Sequence, residues 1–334
     1  MTDQTVNTSE NEQPAENSRK YSPAVHRRAV LALKSLALLL VFGIGVGSGY
    51  LMWGREAHEE VAANTATIRE AQGESTSMMH QVNPPDGYTV PAVFGDIGPK
   101  LVAAGAIDMA KFINLYQQQN KPLTEEQMTI LSKGSDANVI ITPENSYFLL
   151  NFFWAVGLTN QNPILTDGPM MSGGIDKVGG YASTGGWTIG KKGPTQLYAS
   201  TKMMTLSEEQ QARLLSVASA VFRPCCNNPT HFPDCNHGMA MLGMLELMAS
   251  QNASEDEMYE TAKYVTAFWY PQQMLEVATA FQALKSVDFA QADAKTVVSN
   301  QFMSGSGFQA VHQWLSQNGL LEQAPSSGGS CGVK

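Results

Sequence analysis

Hydrophobic residues recur at helical spacing through most of residues 90–320, and this pattern predicts one mainly α-helical domain. A helix expected after Thr142-Pro143-Glu144 is apolar nearly all round up to Gly157, which is typical of a helix buried at the centre of a fold. Three Ser/Thr-x-x-Glu/Gln motifs predict further helix starts. These motifs begin at Thr124, Ser207 and Ser254.

The helical pattern is interrupted between Gly157 and Gly193, where the chain contains ten glycines and little periodicity. We expect a long irregular segment with short strands such as Gly186–Ile189. Long segments of this kind are uncommon inside a compact domain and are often functional. A short β-like run is also expected at Asn138–Ile141, before the apolar helix.

An uncharged apolar run at residues 35–53 predicts a transmembrane helix. Its 19 residues reach about 28 Å at ~1.5 Å each, close to the roughly 30 Å hydrocarbon core. Basic residues dominate the N-terminal flank, so the N-terminus is expected in the cytoplasm and the rest outside the cytoplasmic membrane. A cleaved signal peptide is the alternative. An uncleaved signal anchor is favoured because the run is long and lacks a small-x-small cleavage site.

The predicted organisation has five parts, each distinguished by composition. They are a disordered cytoplasmic tail at 1–28, the anchor at 29–54, a juxtamembrane helix and linker at 55–89, the extracytoplasmic helical domain at 90–320, and a flexible tail at 321–334 that carries Cys331.

The net charge of the chain argues against nucleic acid as a partner. The chain has a formal net charge of -9 and only 15% charged residues, so it lacks the basic surface that nucleic-acid binding requires. Protein partners are not indicated.

If the source is a bacterium, the external domain meets an oxidising compartment, where cysteines are usually disulfides or metal ligands.

Candidate chemistry is concentrated in one stretch, residues 222–250, which holds three of the four cysteines and runs into a Met-rich helix. Asn236 or Asp234 is expected to cap that helix, which places Cys235 near the helix N-terminus, where a thiolate is favoured. Thiolate, imidazole and thioether together favour Cu(I), whereas thiolate and imidazole alone suit zinc equally. The candidate metal ligands are Cys225, Cys226, Cys235, His237, Met241 and Met244.

Two other interpretations of this stretch stay open. A disulfide from Cys225 or Cys226 to Cys235 would close a loop of about ten residues and contribute on the order of 2–3 kcal/mol, giving a non-catalytic, disulfide-stapled interaction domain. A thiol oxidoreductase is less favoured because the chain has no Cys-x-x-Cys. The methionine stripe is also what ordinary core packing would produce. Whether the protein is an enzyme is left open, although no G-x-S-x-G or H-E-x-x-H motif supports a hydrolase.

The strings STGGWTIG, RPCCNNPTHFPDCNHGMAMLG and LELMASQ resemble those of uncharacterised, membrane-anchored prokaryotic proteins. This resemblance covers most of the external domain and implies no activity. A weaker resemblance is to exported proteins named for a Pro-Cys-Tyr-Cys-Gly-Cys motif, and it rests on Pro224-Cys225 and Asp234-Cys235. The adjacent cysteines depart from that motif, so its ligand arrangement does not carry over.

Overall fold

The computed structural model describes residues 76–321. Helix accounts for 61% of this part of the chain, which confirms the predicted mainly α fold. None of the helices within these residues has both the length and the apolar character needed to cross a bilayer. The predicted cytoplasmic tail, the anchor at 35–53 and Cys331 lie outside the described residues.

The elements follow one another in three groups. The first contains β1 (Tyr88–Gly95), α1 (Ile97–Ala104), α2 (Met109–Gln118), α3 (Glu125–Lys133), β2 (Ser135–Ile141) and α4 (Ser146–Thr159). The second contains the single-turn helices α5 (Pro163–Thr166), α6 (Ile175–Val178), α7 (Ala182–Gly185) and α8 (Pro194–Leu197), with a 3-10 turn at Pro169–Gly173. The third contains α9 (Glu208–Ala220), α10 (Asn236–Ser250), α11 (Glu255–Trp269), α12 (Pro271–Lys285), a 3-10 turn at Phe289–Gln291, α13 (Ala294–Val297), α14 (Asn300–Met303) and α15 (Gly305–Gln317).

Local sequence signals fix several of these boundaries. Thr124, Ser207 and Ser254 each form the predicted capping box, in which the side chain accepts a backbone N–H three residues on and the Glu or Gln at that position bonds back. Helix α4 differs from the prediction at its start. Thr142 and Asn145 exchange side-chain-to-backbone hydrogen bonds, and this turn delays the helix until Ser146.

Two long helices form the centre of the fold. Every residue of α4 from Phe148 to Thr159 is buried, as is every residue of α10 from His237 to Ala249. The two helices pack against each other more extensively than any other helix pair in the described residues. They cross at glycines: a Cβ on Gly157 would lie 2.0 Å from the Met239 carbonyl oxygen, and one on Gly243 would lie 2.4 Å from that of Phe153. Gly157 therefore serves the helix crossing and does not end α4, which continues to Thr159.

A two-stranded antiparallel sheet lies beside this pair, with Tyr88 opposite Ile141 and Gly95 opposite Ser135. The predicted β-like run is confirmed as part of β2, whereas its partner strand β1 was not predicted. Side chains of β1 alternate, with Val90, Ala92 and Phe94 buried. Folded structure also begins before residue 90, because residues 76–82 are helical and Val82 is fully buried.

The glycine-rich segment is more ordered than its composition suggests. It consists of the single-turn helices α5–α8 and their connecting turns, and the strand expected at residues 186–189 is not formed. Two indole N–H groups fasten it to the core: Trp187 donates to the Ala106 carbonyl at 2.8 Å, and Trp154 donates to the Ser183 carbonyl at 2.6 Å. These bonds give the two buried carbonyl oxygens the hydrogen-bond partners that they need.

The described domain contains two hydrophobic clusters, one around α4 and α10 and one around α12 and α15. The cysteine turn, residues 221–235 between α9 and α10, touches both. Phe232 packs against the first cluster and Phe222 against the second. The fold therefore holds the cysteines where its two cores meet.

Candidate metal centre

Backbone hydrogen bonds make the cysteine turn a defined structure. The Thr230 N–H and hydroxyl both donate to the Val221 carbonyl, at 2.8 and 3.0 Å, and this contact closes the turn at its base. The His231 N–H donates to Ala218 in α9 at 2.9 Å. Cys225 and Cys226 lie within the loop closed by this contact, and Cys235 follows five residues after Thr230.

The turn brings three cysteine sulfurs together. The Sγ atoms of Cys225, Cys226 and Cys235 all lie within 4.8 Å of one another, close enough to hold one metal ion. The Cys225 and Cys235 sulfurs are 3.3 Å apart. All three are free cysteines; Cys225 is exposed and the other two are partly buried. A metal–sulfur bond of about 2.3 Å places sulfurs of one shell roughly 3.8 Å apart, so small side-chain shifts would suffice.

Cys235 is itself the N-cap of α10, which corrects the expectation that Asn236 or Asp234 holds that position. Its Sγ accepts the Gly238 N–H at 3.3 Å. The two alternative caps are otherwise engaged: the Asn236 side-chain oxygen accepts from the His237 N–H at 3.0 Å, and Asp234 pairs with Arg223. The thiol therefore occupies the place where a helix terminus favours negative charge.

Arg223, which was not among the predicted site residues, organises the turn from inside. Its side chain is 4% exposed. Nε donates to Cys235 Sγ at 2.9 Å, and Nη1 donates to the Asn228 carbonyl at 2.8 Å. Nη2 donates to the Phe232 carbonyl at 3.2 Å and to Asp234 Oδ1 at 2.7 Å. Burial acts to lower the pKa of Arg223, but the nearby Cys235 sulfur outweighs it and raises the pKa, so the guanidinium stays charged.

The three thiols differ in acidity because of these contacts. Hydrogen bonds from Cys225 and Cys226, together with the Arg223 charge, hold the pKa of Cys235 well below its usual range, so Cys235 is the thiolate. The bonds to Cys226 and Cys235, and then burial, raise the pKa of Cys225. The bond to Cys225 acts to lower the pKa of Cys226, but the bond to Cys235 and burial raise it to about 11. The site thus contains one thiolate and two protonated thiols. A metal ion that bound here would displace the protons of the two thiols, so that all three sulfurs would be thiolates.

His237 does not join the sulfur group. Its ring packs 4.5 Å from Tyr270 and 5.8 Å from Trp269, and Nδ1 lies 2.9 Å from the Asn236 side-chain oxygen. Burial lowers the pKa of His237 to about 4, so the imidazole is neutral at physiological pH. His237 thus lines the back of the site and supports the start of α10.

The two predicted methionine ligands are in the core of α10, where Met241 is 3% and Met244 0% exposed. Met241 and His237 line a small cavity of about 10 Å³ together with Arg223 and Tyr270. This volume is close to that of one water molecule. The placement of Met244 in the first hydrophobic cluster is that of a packing residue.

Asp234, the carboxylate next to the cysteines, has both oxygens engaged. Oδ1 pairs with Arg223, and Oδ2 accepts from the Asn228 amide at 2.9 Å. Cys226 Sγ also lies 3.6 Å from Oδ1. Among the described residues, the cluster of candidate ligand atoms at this turn contains the three sulfurs and neither a carboxylate nor an imidazole.

Two neighbouring regions are bonded directly to the turn. The Ser183 N–H of α7 donates to the Asp234 carbonyl at 3.1 Å, and the Tyr181 ring meets Phe232 edge-on at 5.6 Å. On the other side, the Gly305 N–H at the start of α15 donates to the Cys226 carbonyl at 2.7 Å. The glycine-rich segment and the last helix therefore both buttress the cysteines.

Two signals in the sequence point to the contribution of Arg223. An arginine stands two residues before the paired cysteines, and a glycine stands three residues after Cys235. A Cβ on Gly238 would lie 2.4 Å from Arg223 Cζ, so only glycine leaves room for the guanidinium.

Comparison with known proteins finds no matching family, no matching curated protein and no matching solved structure.

Proposed function

We propose that this protein binds a soft metal ion, copper(I) or zinc(II), through Cys225, Cys226 and Cys235. The observation that carries the proposal is the clustering of three sulfurs within 4.8 Å in a turn whose backbone is fixed on both sides. Soft thiolate ligands select ions of this kind.

The donor set favours copper(I) over zinc(II). Structural zinc sites are almost always four-coordinate, and the imidazole and carboxylate nearest to the cysteines are held by Tyr270, Trp269, Asn236 and Arg223. A fourth zinc ligand would have to come from solvent at the exposed Cys225 side. Copper(I) is satisfied by sulfur ligands alone, and Arg223 offsets part of their negative charge.

Single substitutions distinguish the ligands from their supports. Cys235→Ser removes a ligand and should abolish stoichiometric copper binding. His237→Ala should lower copper affinity by no more than about 10- to 100-fold, because the ring only supports the start of α10. Met244→Leu keeps the core volume and should leave binding unchanged. Copper(I) titration against a chromophoric competitor gives the three affinities. Loss of binding in Met244→Leu with binding retained in Cys235→Ser would contradict this ligand assignment.

We further propose that the metal-binding domain lies outside the cytoplasmic membrane, anchored by residues 35–53. Support comes from the length of that uncharged run and from the basic residues before it. A reporter enzyme that works only outside the membrane should be active when fused after residue 60 and inactive when fused after residue 20. The reverse activity pattern would place the cysteines in the cytoplasm.

A further inference from the structure

The Cys225 and Cys235 sulfurs are closer than a metal site alone requires. Their separation of 3.3 Å is shorter than the roughly 3.8 Å expected between sulfurs bound to one ion at ~2.3 Å each. A disulfide bond measures about 2.05 Å, so a side-chain movement of little more than 1 Å would join them. The Cys226 sulfur has two further contacts, with Asp234 Oδ1 at 3.6 Å and with the Asn228 carbonyl at 3.8 Å.

The two sulfurs also differ in access to solvent. Cys225 is exposed, whereas Cys235 is partly buried beneath Arg223 and the first turn of α10. A reagent in solution therefore meets Cys225 first, and Cys235 is the group behind it. This is the arrangement of an entry thiol and a resolving thiol.

We infer that Cys225 and Cys235 form a reversible dithiol–disulfide couple that exchanges with external disulfides and controls metal binding at this site. The metal-control part of the inference rests on the proposed function, whereas the exchange chemistry stands on the sulfur geometry alone. An ion needs three sulfurs here. Oxidation consumes two of them and leaves Cys226, so the oxidised protein cannot hold the ion.

The exchange proceeds in two steps that balance. The Cys225 sulfur, having lost its proton to solvent, attacks an external disulfide R–S–S–R, which forms Cys225–S–S–R and releases the first R–S⁻. The Cys235 thiolate then attacks Cys225 Sγ, which forms the Cys225–Cys235 bond, breaks the mixed disulfide and releases the second R–S⁻. The two electrons lost by the cysteines are the two gained by the external disulfide.

The contacts to Cys235 set the direction of this equilibrium. Arg223 Nε at 2.9 Å and the Gly238 N–H at 3.3 Å both donate to its sulfur. These bonds are stronger to a thiolate than to a disulfide sulfur, so they stabilise the reduced form. A stabilised reduced form makes a disulfide easy to reduce, and the couple is therefore reversible rather than a permanent staple.

The exchange is tested on the full-length chain in detergent micelles, with Cys331→Ser to remove the cysteine of the C-terminal tail. Reduced protein is treated with oxidised glutathione, thiols are counted and disulfides are mapped by mass spectrometry. We expect loss of two thiols per chain and one bond, Cys225–Cys235. Cys226→Ser should form the same bond, whereas Cys235→Ser should trap glutathione on Cys225. A bond that contains Cys226, or three thiols that survive treatment, would overturn the inference.

The link to metal is tested in the same samples by measuring bound copper before and after oxidation. We expect oxidation to lower bound copper at least tenfold in the parent protein. In Cys235→Ser, bound copper should be low before oxidation and unchanged after it. Formation of the bond with copper retained would overturn metal control and leave the proposed function standing. Formation of the bond in a protein that never binds copper would instead remove the proposed function and leave the exchange chemistry intact.

Discussion

Cys235 combines two roles in one sulfur atom. It caps α10 by accepting the Gly238 N–H, and it faces the other two cysteines of the cluster. The cap fixes the backbone of Cys235 and so restricts the position of its sulfur. Arg223 adds a second fixed bond at 2.9 Å. If Cys235 is a metal ligand, as we propose, it would need little reordering on binding.

Gly238→Ala tests the role of Arg223 without touching a cysteine. The new methyl group would displace the guanidinium, so the bonds to Cys235 and Asp234 would be lost at a cost of about 1–3 kcal/mol. Since the Arg223 charge helps to lower the pKa of Cys235, its displacement should raise that pKa and slow alkylation of Cys235 at neutral pH. Alkylation rates followed as a function of pH measure the shift.

Gly243→Ala in the same helix is the matched control for that substitution. It should also destabilise the protein by about 1–3 kcal/mol, because its Cβ meets backbone of α4. It lies away from the sulfurs and should leave the pH profile of alkylation unchanged. If the pH profile of alkylation is the same in Gly238→Ala, in Gly243→Ala and in the parent protein, Arg223 does not act on Cys235.

Helix α10 carries a second unusual group at its centre. Sequence periodicity places Glu246 on the face opposite the methionines, yet the helix is buried all round and Glu246 is 0% exposed. Neither carboxyl oxygen makes a hydrogen bond of normal geometry, and the side chain that faces it is Asn160. Burial raises the pKa of Glu246 well above its usual range, so the folded protein keeps this carboxyl protonated when the unfolded chain has ionised.

Glu246→Gln should therefore stabilise the protein at neutral pH. At pH values below the pKa of Glu246 in the unfolded chain, the carboxyl is protonated in both states and does not reduce the free energy of unfolding. As the pH rises from that value toward the raised pKa of the folded protein, the unfolded chain gains stability by ionising, so the folded protein becomes less stable relative to it. Urea unfolding at about pH 4 and pH 8 should show a gain of about 1–3 kcal/mol at the higher pH and little at the lower. The exposed Glu144→Gln is the control. A gain that does not depend on pH would contradict a protonated Glu246.

Elements with strong local signals were predictable from the sequence. The three capping boxes, the buried α4 and the Met-rich helix before Ser250 are confirmed. The start of α10 was not predictable, because a cysteine cap competes with better side-chain acceptors at Asp234 and Asn236. Asp234 is paired with Arg223, a contact that leaves no periodic signal in the sequence, and the Asn236 oxygen is bonded to the adjacent His237.

At the scale of the whole molecule, the cysteine turn lies where two hydrophobic clusters meet and is bonded to both flanking regions. The concentration of three cysteines in residues 222–250 predicted the location. Sequence spacing could not show which of the candidate residues cluster, since it treats His237 and Met241 as equal to the sulfurs. In the structure, the His237 ring packs on Tyr270 and Met241 lies in the first hydrophobic cluster, whereas the three sulfurs come together.

We propose that the three clustered sulfurs hold one ion, and elemental analysis with thiol counting tests this most directly. The sample is the reduced, copper-loaded full-length chain, beside a variant that carries Cys225→Ser, Cys226→Ser and Cys235→Ser and keeps Cys331. We expect about one copper per chain in the parent protein, with these thiols protected from alkylation, and almost none in the variant. A parent protein that holds no more copper than the variant, with its three thiols freely alkylated, would show that the cluster is not a metal site.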